Sequence, residues 1–105
     1  MIEKQLTLYK KLLDEKEFYK AHEALETIWF DKRFEKSDEI KLLKGFINAA
    51  VCFELIKRDR YEQSKTPWKN YLKYRPLLYK IDSPHLNKYH QIARHVEMLK
   101  NRLKT

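Results

Sequence analysis

Helical spacing runs through this chain almost without interruption, and a single glycine, Gly45, leaves few places where the backbone could turn sharply. Apolar residues recur at spacings of three and four. No period-2 run is bounded by turn residues, as strands would require. Proline occurs three times, and there is no low-complexity linker or internal repeat. These features predict an all-α fold: one domain, residues 1–105, of about five helices.

The segment "DEIKLLKGFINAAVCFELIK" predicts a helix over about 38–57 that is apolar on most sides. A helix apolar nearly all round is usually the central one. Ser37 suits its N-cap, and Asp38 and Glu39 suit the positive end of its dipole. The preceding helix, about 17–33, carries Phe18, Ala21, Leu25, Ile28 and Trp29 as one stripe. The two should form a central antiparallel pair. Glycine inside a helix costs ~1 kcal/mol relative to alanine. Gly45 is therefore expected at a close crossing, with Trp29 as its neighbour. Ile2, Leu6, Tyr9 and Leu13 align on a first helix, about 2–15. Thr66 as cap and Pro67 at the first position predict a fourth helix over about 67–75. A single helix starting near 60 and running through Pro67 is the alternative. Ser83 and Pro84 repeat the start signal before a last helix, about 84–103.

One cysteine, Cys52, excludes an internal disulfide and a C-x-x-C zinc pattern, and a thiol in the apolar central helix should be inert. The N-terminus alternates charged and apolar residues, unlike a secretory signal. The longest apolar stretch, "FINAAVCF", is far short of the ~20 residues of a membrane span. The expected address is the cytoplasm, with no membrane partner. Net charge is +8, unevenly spread: residues 1–56 carry 10 Lys+Arg against 11 Asp+Glu, and residues 57–105 carry 13 against 4. Such asymmetry invites a polyanion partner.

The stretch "FYKAHEALETIW", residues 18–29, sets a histidine inside an apolar stripe. Taking 100° per residue, Glu26 lies about 40° from His22 around the helix and Glu23 about 100°. His22 is expected to be mostly buried, its ring held by Glu26 or by Asn48 across the helix pair. With Trp29 and Gly45 these residues would form a clasp joining the central helices. His22 and Glu26, at i and i+4, can both reach one metal ion, but the H-E-x-x-H motif has Glu26 where its second histidine belongs. No third ligand stands at convincing spacing, and no Glu-x-x-His copy occurs elsewhere. No metal or cofactor is expected. Between clasp and metal site lies a small-ligand pocket at His22, Glu23 and Glu26.

A second candidate is "WKNYLKYRPLLYK". Trp68 and its tyrosines interleave with Lys69, Lys73, Arg75 and Lys80, with Lys65 just upstream, as in surfaces where bases stack between cations. The competing reading is an amphipathic segment with Trp68, Tyr71, Leu72 and Leu78 in the core and lysines in water.

"EFYKAHEALETIW" followed by "LLKGFINAAVCFELIKRD" resembles a small prokaryotic helical family catalogued as domain of unknown function 309. The resemblance spans roughly residues 17–82. The family pattern is matched by Phe18, Tyr19, Ala21, His22, Glu23, Leu25, Glu26 and Trp29, and by Gly45. Where the family often has glutamine this chain has Asn48, and where it often has a histidine this chain has Leu55. The resemblance implies an all-helical fold and supplies no activity. The functional expectation is a non-enzymatic interaction or regulatory module built on the clasp. Its partner would be an unidentified protein or a second copy of the chain. Polyanion binding by the basic half and a small-ligand or metal site are the alternatives.

Overall fold

The computed structural model describes residues 2–103. Five α-helices follow in order: α1 (Ile2–Asp14), α2 (Phe18–Asp31), α3 (Asp38–Lys57), α4 (Tyr61–Tyr74) and α5 (Leu86–Arg102), with a 3-10 turn at Arg75–Tyr79 between the last two. The radius of gyration is 12.7 Å, close to the ~13 Å of a compact chain of about 100 residues.

Helix α3 occupies the centre, as its all-round apolarity requires. Its N-cap is Ser37, whose Oγ accepts from the Ile40 amide at 3.2 Å. Helix α2 runs antiparallel to it: Phe18 meets Phe53 edge-on with ring centroids 5.5 Å apart, and Trp29 lies under the Lys44 ammonium. Helix α4 packs on another face of α3, also antiparallel. Tyr74 meets Gly45, Asn70 donates to Asn48, and Trp68 lies against Phe53. Helices α1 and α5 run parallel, since His85 reaches Glu3 and His95 reaches Asp14.

With one glycine, the chain stops its helices by other means. Lys16 (φ 60°) and Asp59 (φ 62°) take the left-handed conformation that glycine usually supplies. Each closes a Schellman motif. The Glu17 amide donates to the Leu12 carbonyl at 2.9 Å, and the Arg60 amide to the Leu55 carbonyl at 2.8 Å.

Three expectations need correction. Helix α4 starts at Tyr61 and continues through Pro67, so the single-helix alternative is the observed one. Pro67 removes one amide donor, but its ring is buried, and the turn before it packs Ser64 inward, with Ser64 Oγ donating to the Tyr61 carbonyl at 2.6 Å. Ser83 does not cap the last helix, which starts at Leu86 after His85: its Oγ accepts from the His85 amide and donates to Glu39, tying the turn to α3. Leu72 is 47% exposed and does not join the core.

Phe46 sits at the middle of the core. Around it lie Tyr9, Tyr71 and Tyr89, all fully buried, with ring centroids 5.9–6.2 Å from its own. Buried hydroxyls need partners, and each has one. Tyr9 donates to the Phe46 carbonyl at 2.7 Å, Tyr71 to Glu97 at 2.8 Å and Tyr89 to Glu39 at 2.6 Å. Glu97 also accepts from Arg75. Burial, above all, raises all three hydroxyls well beyond the ordinary tyrosine range, and for Tyr71 and Tyr89 the carboxylate each one faces raises it further.

The raised values set the alkaline limit of the fold. Below about pH 10 folded and unfolded chains both hold these protons, and their contribution to stability is complete. Above it the unfolded chain releases them and the folded one keeps them, so stability falls as pH rises. Urea melts from pH 8 to 11.5 should show this loss above pH 10. Absorbance at 295 nm should show the three core phenolates appearing only with unfolding; their appearance in protein that keeps its folded circular dichroism would contradict the assignment.

Candidate functional site

The residues picked from the sequence fall in three places. His22 borders an open groove between α2 and α3. Phe18, Tyr19, Ala50, Val51 and Leu55 line it, and Glu54 and Arg58 stand at one end; its volume is about 180 Å³. The His22 side chain is 16% exposed. Its Nδ1 sits 2.9 Å from the Tyr19 carbonyl oxygen and its Nε2 3.4 Å from Glu26. The ring leans on Tyr19, centroids 5.1 Å apart. Glu23 points to solvent, as its angle around the helix dictates.

Asn48 and Gly45 lie elsewhere. On α3 the positions 45, 48 and 52 turn toward α4, while 50, 51 and 54 turn toward α2. Asn48 accordingly accepts from Asn70 at 3.1 Å and donates to the Lys44 carbonyl. It is no partner of His22. Gly45 faces Tyr74, not Trp29. Trp29 is half-buried, with Lys44 Nζ 5.7 Å from its ring centroid. The structure thus brings His22 and Glu26 together and turns Gly45 and Asn48 toward α4, away from them.

Arg58, at one end of the groove, has no counterpart in the expected clasp. Arg58 Nε donates to Glu54 at 2.6 Å, and Glu54 is itself mostly buried. The Glu54/Arg58 spacing of i, i+4 was the available signal.

On the basic segment, Trp68 is packed between Tyr71 (centroids 4.9 Å), Phe53 and the Lys100 ammonium. Lys65 pairs with Glu62 and Arg75 with Glu97. Lys69, Lys73 and Lys80 remain exposed, as does Tyr79 at 72%. Cys52 is fully buried, and burial pushes its thiol up to about 11, too high for a nucleophile near neutrality. Among the described residues no group of three or more His, Cys, Asp or Glu lies close enough to hold a metal ion. Among them too, no helix is long and apolar enough to cross a membrane.

Fold and groove define a small all-helical protein with a shallow, side-chain-sized recess between its central helices. The chain belongs to the family described as Domain of unknown function (DUF309), whose model matches residues 6–66, from α1 into α4. No curated protein and no solved structure matches the chain.

Proposed function

We propose that the chain is a non-enzymatic protein-interaction module whose α2–α3 groove receives a side chain of a partner protein. The observation that carries this reading is the groove's size and chemistry. At about 180 Å³ it is smaller than the ~300–1,000 Å³ of typical small-molecule sites, yet large enough for an apolar side chain. Its floor is apolar, an aromatic ring stands at its wall, and polar groups mark its rim: the anatomy of an anchor pocket at an interface. His22 and Glu54 stand at the rim, each already in a polar contact, with the Tyr19 carbonyl and with Arg58. A partner presenting an apolar side chain, flanked by a group able to meet Arg58 or Glu26, fits. A cytoplasmic address accords with the lone buried thiol.

The test is cross-linked capture from lysate of the source cell with the parent and with Val51→Glu, nucleic acid being measured on the same samples. A protein held by the parent, cross-linked near Tyr19 or Arg58 and lost with Val51→Glu, is the expected result. Capture indifferent to Val51→Glu in a protein that melts like the parent would refute the groove. Retention of nucleic acid alone would transfer the function to the basic half.

A further inference from the structure

The cleft between α1 and α5 has no role in this reading, and its chemistry differs from that of the groove. It holds about 260 Å³ and is lined by Lys10, Gln91, Arg94, His95 and Met98. Each polar lining residue can offer an N–H donor, and none is acidic; Asp14 stands behind His95, 2.6 Å from its Nε2. Elsewhere on the molecule Arg58, Lys65 and Arg75 each pair with a glutamate. Lys10 and Arg94 pair with no carboxylate among the described residues.

The cleft is also held in shape. Helices α1 and α5 run parallel, and two His–carboxylate contacts bridge them. Glu3 meets His85 Nδ1 at 3.1 Å near one end, and Asp14 meets His95 Nε2 at 2.6 Å near the other. Lys10 falls between them, level with Gln91 and Arg94. The His95 side chain is only 11% exposed, and its Nε2 is buried without a well-aligned hydrogen bond, since the short approach to Asp14 is off-angle.

We infer that this cleft is a binding site for a phosphoryl group, or a tetrahedral oxyanion of the same shape, presented by a larger molecule. Arg94 supplies a planar fork suited to two oxygens at once. Lys10 supplies a point charge from the opposite helix, and the Gln91 amide a neutral donor. Met98 gives one apolar edge for whatever carries the phosphoryl group. The volume is ample for the anionic group, and the cleft is open, so the rest of the ligand can extend into solvent. The net charge of +8 draws anions toward the molecule as a whole, and here α1 and α5 bring Lys10 and Arg94 to one recess.

The probes are inorganic phosphate and adenosine monophosphate, titrated at constant ionic strength into isotope-labelled protein. The signals followed are the Gln91 side-chain amide and the Arg94 Nε–H. Saturable shifts at both are expected, with affinity reduced tenfold or more in Arg94→Ala and in Lys10→Gln, and unchanged within twofold in Lys41→Ala, an exposed lysine outside both candidate sites. Arg94 is exposed and Lys10 half-buried, and two independent variants guard against one that folds poorly. Tighter binding of the nucleotide than of phosphate supports a carrier lying along Met98; equal binding supports recognition of the phosphoryl group alone. Shifts that never saturate, that chloride reproduces, or that persist in both cleft variants would overturn the site.

Discussion

Phe46→Ala should lose about 3–5 kcal/mol of stability, the range measured for truncating a buried aromatic ring. Small domains hold roughly 5–15 kcal/mol in total, so the variant should melt far earlier or fail to fold. The value belongs at the upper part of the range because of what surrounds the ring. Tyr9 from α1, Tyr71 from α4 and Tyr89 from α5 all lean on Phe46. Removing it leaves a void bordered by three rigid rings whose hydroxyls are anchored to the Phe46 carbonyl, Glu97 and Glu39. To collapse into that void a tyrosine must abandon its hydrogen bond, and leaving a buried polar group unpaired costs ~1–3 kcal/mol. The void should therefore persist. Phe46→Leu keeps much of the volume and should cost less than half as much. Urea denaturation of the two variants against the parent decides it. A loss below ~1 kcal/mol for Phe46→Ala would mean that α1, α4 and α5 do not converge on this ring.

How far the sequence reveals this arrangement depends on which residues carry the information. Helix α3 was legible to its ends, because Ser37 caps it locally and its apolar run allows no other assignment. The N-terminus of α4 was not. Thr66-Pro67 has the form of a helix start, and what overrides it is tertiary: Ser64 and the Pro67 ring are both buried, which no local rule reports. Ser83 misleads in the same way, since its hydroxyl is drawn to Glu39, 44 residues away. At the candidate site, the angular relation of His22, Glu23 and Glu26 could be read because it lies within one helix. The placing of Asn48 could not. It depends on how α3 is rotated between α2 and α4, and a helix apolar on nearly every side carries no signal of that rotation. The α1–α5 cleft was hidden for a related reason: Lys10 and Arg94 are 84 positions apart, and only the parallel pairing of the first and last helices brings them together.

Gly45→Leu tests that rotation directly, and should cost about 1–3 kcal/mol or more by overpacking. A Cβ at position 45 would lie 3.0 Å from Tyr74 Cβ and 3.8 Å from the Tyr71 carbonyl oxygen. Neither atom can swing away: one is the root of a side chain and the other is backbone. Even alanine must push α4 outward by a few tenths of an ångström. That strain opposes the gain of ~1 kcal/mol in helix propensity that alanine brings over glycine. Gly45→Ala is therefore expected to end near neutral or slightly destabilised, instead of showing the full gain. Leucine adds three more carbons with nowhere to go. It must separate α3 from α4, disturbing the Asn48–Asn70 hydrogen bond one turn away and the packing of Tyr71 on Phe46. Urea melts of the parent, Gly45→Ala and Gly45→Leu make the comparison, with Trp29→Leu as a fourth protein to separate the two possible neighbours. If Gly45 faced Trp29, shrinking the indole would relieve Gly45→Leu in the double variant. Facing Tyr74, it should not, and relief should come from Tyr74→Ala instead. Gly45→Leu as stable as the parent, or rescued by Trp29→Leu, would show that α3 presents a different face to α4 and that Asn48 is free to meet His22 after all.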